Sequence, residues 1–223
     1  MRIHLAFAVA IAVAIIAMPA TAIAEPGLEI GAGSALSAGT FGSVNAGEQA
    51  GVASGGGTDL VGRRLGIDVS AAIASESFAV GLAGGISLGG LDLSRVEQEY
   101  YGATGQLGGS SVVFAALEGR AILPGAKTWR PFGALALGVE RMSASSDVGA
   151  VHIDARFIEP RAGVRYDLSP TVAGGARLDI AVAVRLARVT RATLSNHPEA
   201  SESPPSPAMF AVPTVSVRYR YAF

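Results

Sequence analysis

From Arg177 to Ala187 the chain alternates without a break, with Leu178, Ile180, Val182, Val184 and Leu186 on one side and Arg177, Asp179, Ala181, Ala183, Arg185 and Ala187 on the other. A period of two marks an extended strand, because successive side chains leave opposite faces. One face carries all the charge and the other carries none, so the two sides of this strand need different surroundings. The pattern returns from Arg63 to Ile73, where Leu65, Ile67, Val69, Ala71 and Ile73 oppose Arg64, Gly66, Asp68, Ser70 and Ala72. It returns again from Phe78 to Leu88, with Phe78, Val80, Leu82, Ile86 and Leu88 opposing Ala79, Gly81, Ala83, Gly85 and Ser87.

Five further segments read as strands: Leu28 to Leu36, Ser111 to Ile122, Trp129 to Glu140, Ile153 to Tyr166 and Met209 to Phe223. Glu118 and Arg120 set the phase of the second of these. A change of phase near Phe157-Ile158 suggests a bulge in the fourth. The eight strands are joined by connections of alternating length. Ala74 to Ser77, Leu123 to Thr128 and Asp167 to about Gly175 are short, whereas Ser37 to Gly62, Gly89 to Ser110, Arg141 to His152 and Arg188 to Ala208 are long. An even strand number, with tight turns at one end and long loops at the other, is the layout of an up-and-down barrel. The long loops, built from Gly, Ser, Ala and Pro, are expected to be exposed and mobile.

Residues 1–24 stand apart from this pattern. Arg2 gives a positive start, Leu5 to Ala17 an apolar core, Pro19 a break and Ala22-Ile23-Ala24 a small-residue end. This is the form of a secretory signal cleaved before Glu25, leaving one barrel domain over residues 25–223. The chain has no cysteine, so disulfide-stapled secreted scaffolds are excluded. The balance of 17 basic and 18 acidic residues gives no footprint for nucleic acid. No segment after the signal is long and apolar enough for a spanning helix, so any insertion into lipid must be by strands.

Alternation alone does not separate a soluble barrel from a transmembrane one, because the two turn their apolar faces in opposite directions. The charged faces carry Glu29, Arg64, Asp68, Glu118, Arg120, Arg130, Glu140, Arg161, Arg165, Arg177, Asp179, Arg185, Arg218 and Arg220, interleaved with Gly and Ala. Small residues between paired charges suit a narrow lumen, whereas on a wet exterior so much Gly and Ala would weaken the strands. Phe78, Trp129, Tyr166, Tyr219, Tyr221 and Phe223 all fall on the apolar face at the short-turn end, where an interfacial aromatic girdle belongs. At the other end the same parity points Arg63, Arg141 and Arg188 outward, as candidate contacts to lipopolysaccharide phosphates. Arginine outnumbers lysine 16 to 1, with Lys127 the sole lysine.

With this pattern, the chain resembles the small outer-membrane barrels of the family that includes the eight-stranded transmembrane domain of outer-membrane protein A. The likeness covers the mature chain in pattern, and its specific motif is terminal. The family's last strand carries a polar residue, a glycine and two spaced apolar or aromatic residues that the barrel-assembly machinery reads. Ser216, Tyr221 and Phe223 fit, while Arg218 stands where glycine is usual. The resemblance implies an all-β, eight-stranded antiparallel up-and-down transmembrane β-barrel in a Gram-negative outer membrane, with no periplasmic domain after it. Its expected partners are outer-membrane lipid, lipopolysaccharide and the assembly machinery. The composition of the loops names no partner for them.

No catalytic constellation stands out. Gly85-Ile86-Ser87-Leu88-Gly89 matches the G-x-S-x-G elbow, which needs a strand-to-helix turn, yet here the serine ends a strand leading into a Gly-rich loop. His152 and His197 are the only histidines beyond the signal that could serve as its base, and no serine forms a convincing pair with His152. Asp92 with Glu97-Gln98-Glu99 matches no defined calcium loop. No cofactor or metal is expected. Three readings follow: a structural or surface-interaction barrel with a plugged lumen, a lipid-A-modifying enzyme, and a secreted soluble barrel binding an apolar ligand.

Overall fold

The computed structural model describes residues 27–37, 64–89, 110–126, 128–146, 149–168, 175–194 and 209–223. The expected signal, Arg63, the acidic Asp92 to Glu99 segment, Lys127 and His197 lie outside the described residues. Eight strands follow in chain order: β1 (Gly27–Ser37), β2 (Arg64–Ala74), β3 (Phe78–Leu88), β4 (Ser110–Ile122), β5 (Trp129–Ser146), β6 (Gly149–Asp167), β7 (Gly175–Leu194) and β8 (Met209–Ala222). Each pairs antiparallel with the next, and β1 pairs with β8 through Ile30 and Tyr221, which closes the sheet into a barrel. The seam extends to the last residue, where the Phe223 N–H donates to the Leu28 carbonyl at 2.9 Å. At the short-turn end, Ser75 ties the β2–β3 hairpin, its hydroxyl accepting from the Phe78 N–H at 3.1 Å.

The barrel is inverted relative to a soluble one. Leu65, Ile67, Val69, Leu82 and Leu88 on the outside are 63–67% exposed, whereas Arg120, Arg165 and Asp179 on the inside are at most 2% exposed. The apolar faces therefore point outward, which overturns the soluble ligand-binding reading. An exterior of Leu, Ile and Val around a sheet with no open edge is a surface made for hydrocarbon. An eleven-residue strand such as β2 is about 36 Å long and, tilted by about 40°, spans about 25–28 Å, the height of a lipid-facing apolar band.

Three expectations fail. Arg141 to His152 is not a long loop: β5 runs on to Ser146 and β6 resumes at Gly149, with Ser146 opposite Gly149. Likewise β7 continues past Arg188 to Leu194. The segment from Ser143 to Ser146 has the small polar composition of a loop, and Arg188 to Leu194 mixes Arg with Val and Thr, yet each finds a neighbour with which to pair, so β5, β6 and β7 rise as a three-stranded extension beyond the apolar band. Finally, no phase change occurs at Phe157-Ile158. Ile153, Ala155, Phe157, Glu159, Arg161 and Arg165 are all buried, so one parity holds along β6. The irregularity lies between Asp154 and Ala155, which face Arg191 and Val189, so Thr190 of β7 is the extra residue.

Because Val69 sits midway along β2 and faces lipid, Val69→Arg is expected to cost about 2–4 kcal/mol of folding stability in phospholipid vesicles, measured by reversible urea unfolding. A soluble exterior would tolerate the same change.

Candidate functional site

Eight strands enclose a space only wide enough for side chains, so inward residues must share it. They do so by pairing bulk with glycine across the ladder. Gly31 faces Arg220 and Gly33 faces Arg218, while Gly85, Gly138 and Gly163 face Phe114, Phe157 and Phe132. A Cβ at Gly33 would lie 2.4 Å from the Arg218 Cγ, and one at Gly138 would lie 2.5 Å from the Phe157 ring. Arg218, the departure from the terminal motif, thus occupies the room that β1 leaves for it.

The charged layer is centred on three carboxylates. Glu118 accepts from Arg161, from Arg218 at 2.7 Å and from Arg220 at 2.9 Å. Glu29 meets Arg120, Arg220 at 3.2 Å and Arg165 at 3.4 Å. Asp179 meets Arg165 and Arg120 at 2.9 Å and Arg220 at 2.7 Å. Nearer the long-connection end, Arg185 donates to Glu140 at 2.8 Å and to Glu159, while Arg218 reaches Asp68 at 2.8 Å. At the short-turn rim, Asp167 receives Arg130 at 2.8 Å and lies 3.4 Å from Arg177. Each arginine offers five donors in a planar fork, so one guanidinium serves two or three carboxylates and the network needs few side chains.

Of the charges assigned to the lumen from the sequence, Arg130 and Arg177 are half-buried and the others are buried; Glu159, also buried, and Asp167 were not among them. Parity carries Glu159 inward from Arg161 two residues away, so its signal was present. The interior also holds an apolar layer. Val112, Met142, Ile153, Phe157, Phe210 and Val212 form one buried cluster toward the long-connection end. Arg185 joins the two layers, its guanidinium lying 4.0 Å from the Phe157 ring centre and 4.7 Å from that of Phe114.

Outside, the Trp129 and Tyr166 rings pack tilted at 47° with centres 4.6 Å apart and Tyr221 meets Phe223 at 4.9 Å, with Tyr219 and Phe78 on the same outer face at the short-turn end. At the opposite end Arg141 is held by Asp154 through two hydrogen bonds of 2.7 and 3.0 Å. Those bonds keep the Asp154 carboxyl below the usual carboxylate range. Arg188 is exposed and stands directly across from Arg156, also exposed, with no carboxylate on either among the described residues.

His152 does find a serine: the Ser143 Oγ lies 2.9 Å from its Nδ1, across the β5–β6 extension. Among the described residues no carboxylate orients the imidazole, since Asp154 is committed to Arg141. Ser87 of the G-x-S-x-G sequence lies within β3 on its inward face, and no helix appears among the described residues.

No protein-family model matches the sequence, and no curated protein matches it. Solved structures do. Neisserial surface protein A is similar with a TM-score of 0.50 at 10% identity, over 90% of this chain and 98% of that one. The outer membrane protein OprG from Pseudomonas aeruginosa gives 0.52 at 13% identity, over 89% of this chain and 96% of its own. The attachment invasion locus protein Ail of Yersinia pestis aligns at 0.44 and 10% identity, over 89% of this chain and 97% of that one. The fold is that of the small eight-stranded outer-membrane barrels.

Glu118→Gln keeps the shape of the side chain and removes the charge that three arginines share. It is expected to lower folding stability by about 3–5 kcal/mol, read as a fall in the urea midpoint, because it leaves buried guanidinium charge uncompensated.

Proposed function

We propose that this chain is an integral outer-membrane protein of a Gram-negative bacterium with a structural or surface-interaction role. On this reading the barrel is a plugged anchor, and the β5–β7 extension and outer loops are what it presents. The observation that carries the reading is the filled interior, where an arginine–carboxylate layer and an apolar cluster lie in series along the axis. Eight strands leave little further room for solute. The names of the two fold neighbours, a surface protein and an outer membrane protein, support the same placement.

Within this reading Phe78, Trp129, Tyr166, Tyr219, Tyr221 and Phe223 form the periplasmic interfacial girdle, and Ser216, Tyr221 and Phe223 are the residues that the barrel-assembly machinery reads. Residues 1–24 direct the chain to the periplasm and are then cleaved off. The lipopolysaccharide contact moves toward Arg188 and Arg156, since Arg141 already has Asp154 and Arg63 lies outside the described residues. Two cations opposed across a ladder repel unless an anion bridges them, and this pair stands just beyond exposed Ile158 and Leu186, where lipid phosphate would lie.

Cell fractionation should place the protein in the outer membrane, with faster gel mobility before boiling than after. A soluble periplasmic protein without that shift would overturn the proposal. Arg156→Gln combined with Arg188→Gln should abolish any gain in folding rate that lipopolysaccharide gives over phospholipid vesicles alone. An undiminished gain would remove these two residues from the contact.

A second reading, a lipid-modifying enzyme, rests on the Ser143–His152 contact in the β5–β6 extension. Incubation with purified lipopolysaccharide decides between them: the anchor reading expects no fatty-acid release, and release abolished in both Ser143→Ala and His152→Ala would favour the enzyme.

A further inference from the structure

Counting the fully buried charges, apart from the half-buried Arg130, Arg177 and Asp167 at the short-turn rim, leaves one arginine over. Among the described residues seven arginines are buried in the lumen, namely Arg64, Arg120, Arg161, Arg165, Arg185, Arg218 and Arg220, against six buried carboxylates. Six of those arginines have a carboxylate within 2.9 Å. Arg64 does not. Its Nη1 stands 3.8 Å from Glu140, which already receives Arg185, and among the described residues its Nη2 donates only to the Met142 sulfur at 3.4 Å. Its Nε has no partner, although the residue is only 5% exposed.

Arg64 is at the outer end of β2, and it lines a cavity of about 50 Å³ there. That is room for about three or four water-sized particles. The hydroxyls of Ser37, Ser87, Thr214 and Ser216 line the same cavity and can donate into it. Asp68 and Glu159 also line it, but both carboxylates are matched, Asp68 by Arg218 and Glu159 by Arg161 and Arg185. A guanidinium cannot shed its proton to escape burial, so its charge has to be met by a counter-ion or by solvent.

We propose that this cavity is a binding site for one monovalent inorganic anion, held by the Arg64 guanidinium and the surrounding hydroxyls. Three features select the ion. The uncompensated Arg64 charge calls for one negative charge, the small cavity favours a monatomic ion with a few waters, and the hydroxyls offer donors beside Arg161, Arg185 and Arg218, which line the cavity but are each bound to a carboxylate. The site rests on the barrel geometry and not on any role for the outer loops, so it can fail without touching the anchor reading. Its consequence would be an outer lumen stabilised by the chloride of the medium.

The test uses the whole barrel folded in detergent micelles. Its melting temperature in sodium chloride is compared with that in sodium gluconate at equal ionic strength, gluconate being too large for the cavity. The wild type should melt several degrees higher in chloride, with a rise that saturates, and Arg64→Gln should melt equally in both salts. Crystals of the wild type grown in sodium bromide should show an anomalous peak within hydrogen-bond reach of the Arg64 guanidinium, a readout independent of whether the variant folds. Absence of bromide from the cavity, or a chloride effect of equal size in Arg64→Gln, would overturn the site.

Discussion

The narrowness of an eight-stranded barrel governs everything inside this one. Every inward side chain meets one from across the lumen within a side chain's length, so volume must be assigned pair by pair. The glycines of β1 and β3 are how that is done. Gly31 and Gly33 let the Arg220 and Arg218 stems lie flat across β1, and Gly85 gives Phe114 its place. Arg218 and Arg220 then hold their guanidinium groups at the axis, within reach of Glu118 from β4, Asp179 from β7, Glu29 from β1 and Asp68 from β2. Remove the glycines and the network loses its geometry before it loses any charge.

Such a network does not stabilise the barrel as a hydrophobic core would. Taking charges out of water costs several kcal/mol per ion, and the pairing returns that only when the hydrogen bonds are well made. What it gives is specificity. In lipid, the outer face cannot choose a register, because one aliphatic side chain in hydrocarbon is nearly equivalent to another. The inner face can, since slipping one strand by a residue would turn Glu118 or Asp179 into the bilayer. The register is thus set from inside, by groups whose misplacement would be intolerable.

That asymmetry explains what was legible in the sequence. Where an inward residue is charged, as along β2, β7 and the end of β8, alternation gives both the strand and its phase, because charge is excluded from the lipid face. Where both faces are apolar the signal disappears. Phe157 and Ile158 look alike by hydropathy, although one packs over Gly138 and the other is exposed outside, and a phase change was read into them. Counting by twos from Arg161 would have carried the parity through Glu159 and Phe157 to Ile153. The β5–β7 extension was hidden for another reason: a run such as Ser143 to Ser146 becomes a strand only when a partner arrives in register, although Val189, Thr190 and Thr193 of β7 did carry strand preference. The Ser143–His152 contact follows from that register and has no signature of its own.

The position of Arg185 shows why the two interior layers belong together. Phe114 and Phe157 cover the Arg185 guanidinium, and this apolar contact strengthens the hydrogen bonds that it makes to Glu140 and Glu159. An aliphatic residue in place of Arg185 would leave Glu140 and Glu159 short of a donor and the two rings without their cation, so the apolar layer and the charged layer would fail at the same point. One guanidinium, stacked on two rings and bound to two carboxylates, couples an apolar layer to an ion network.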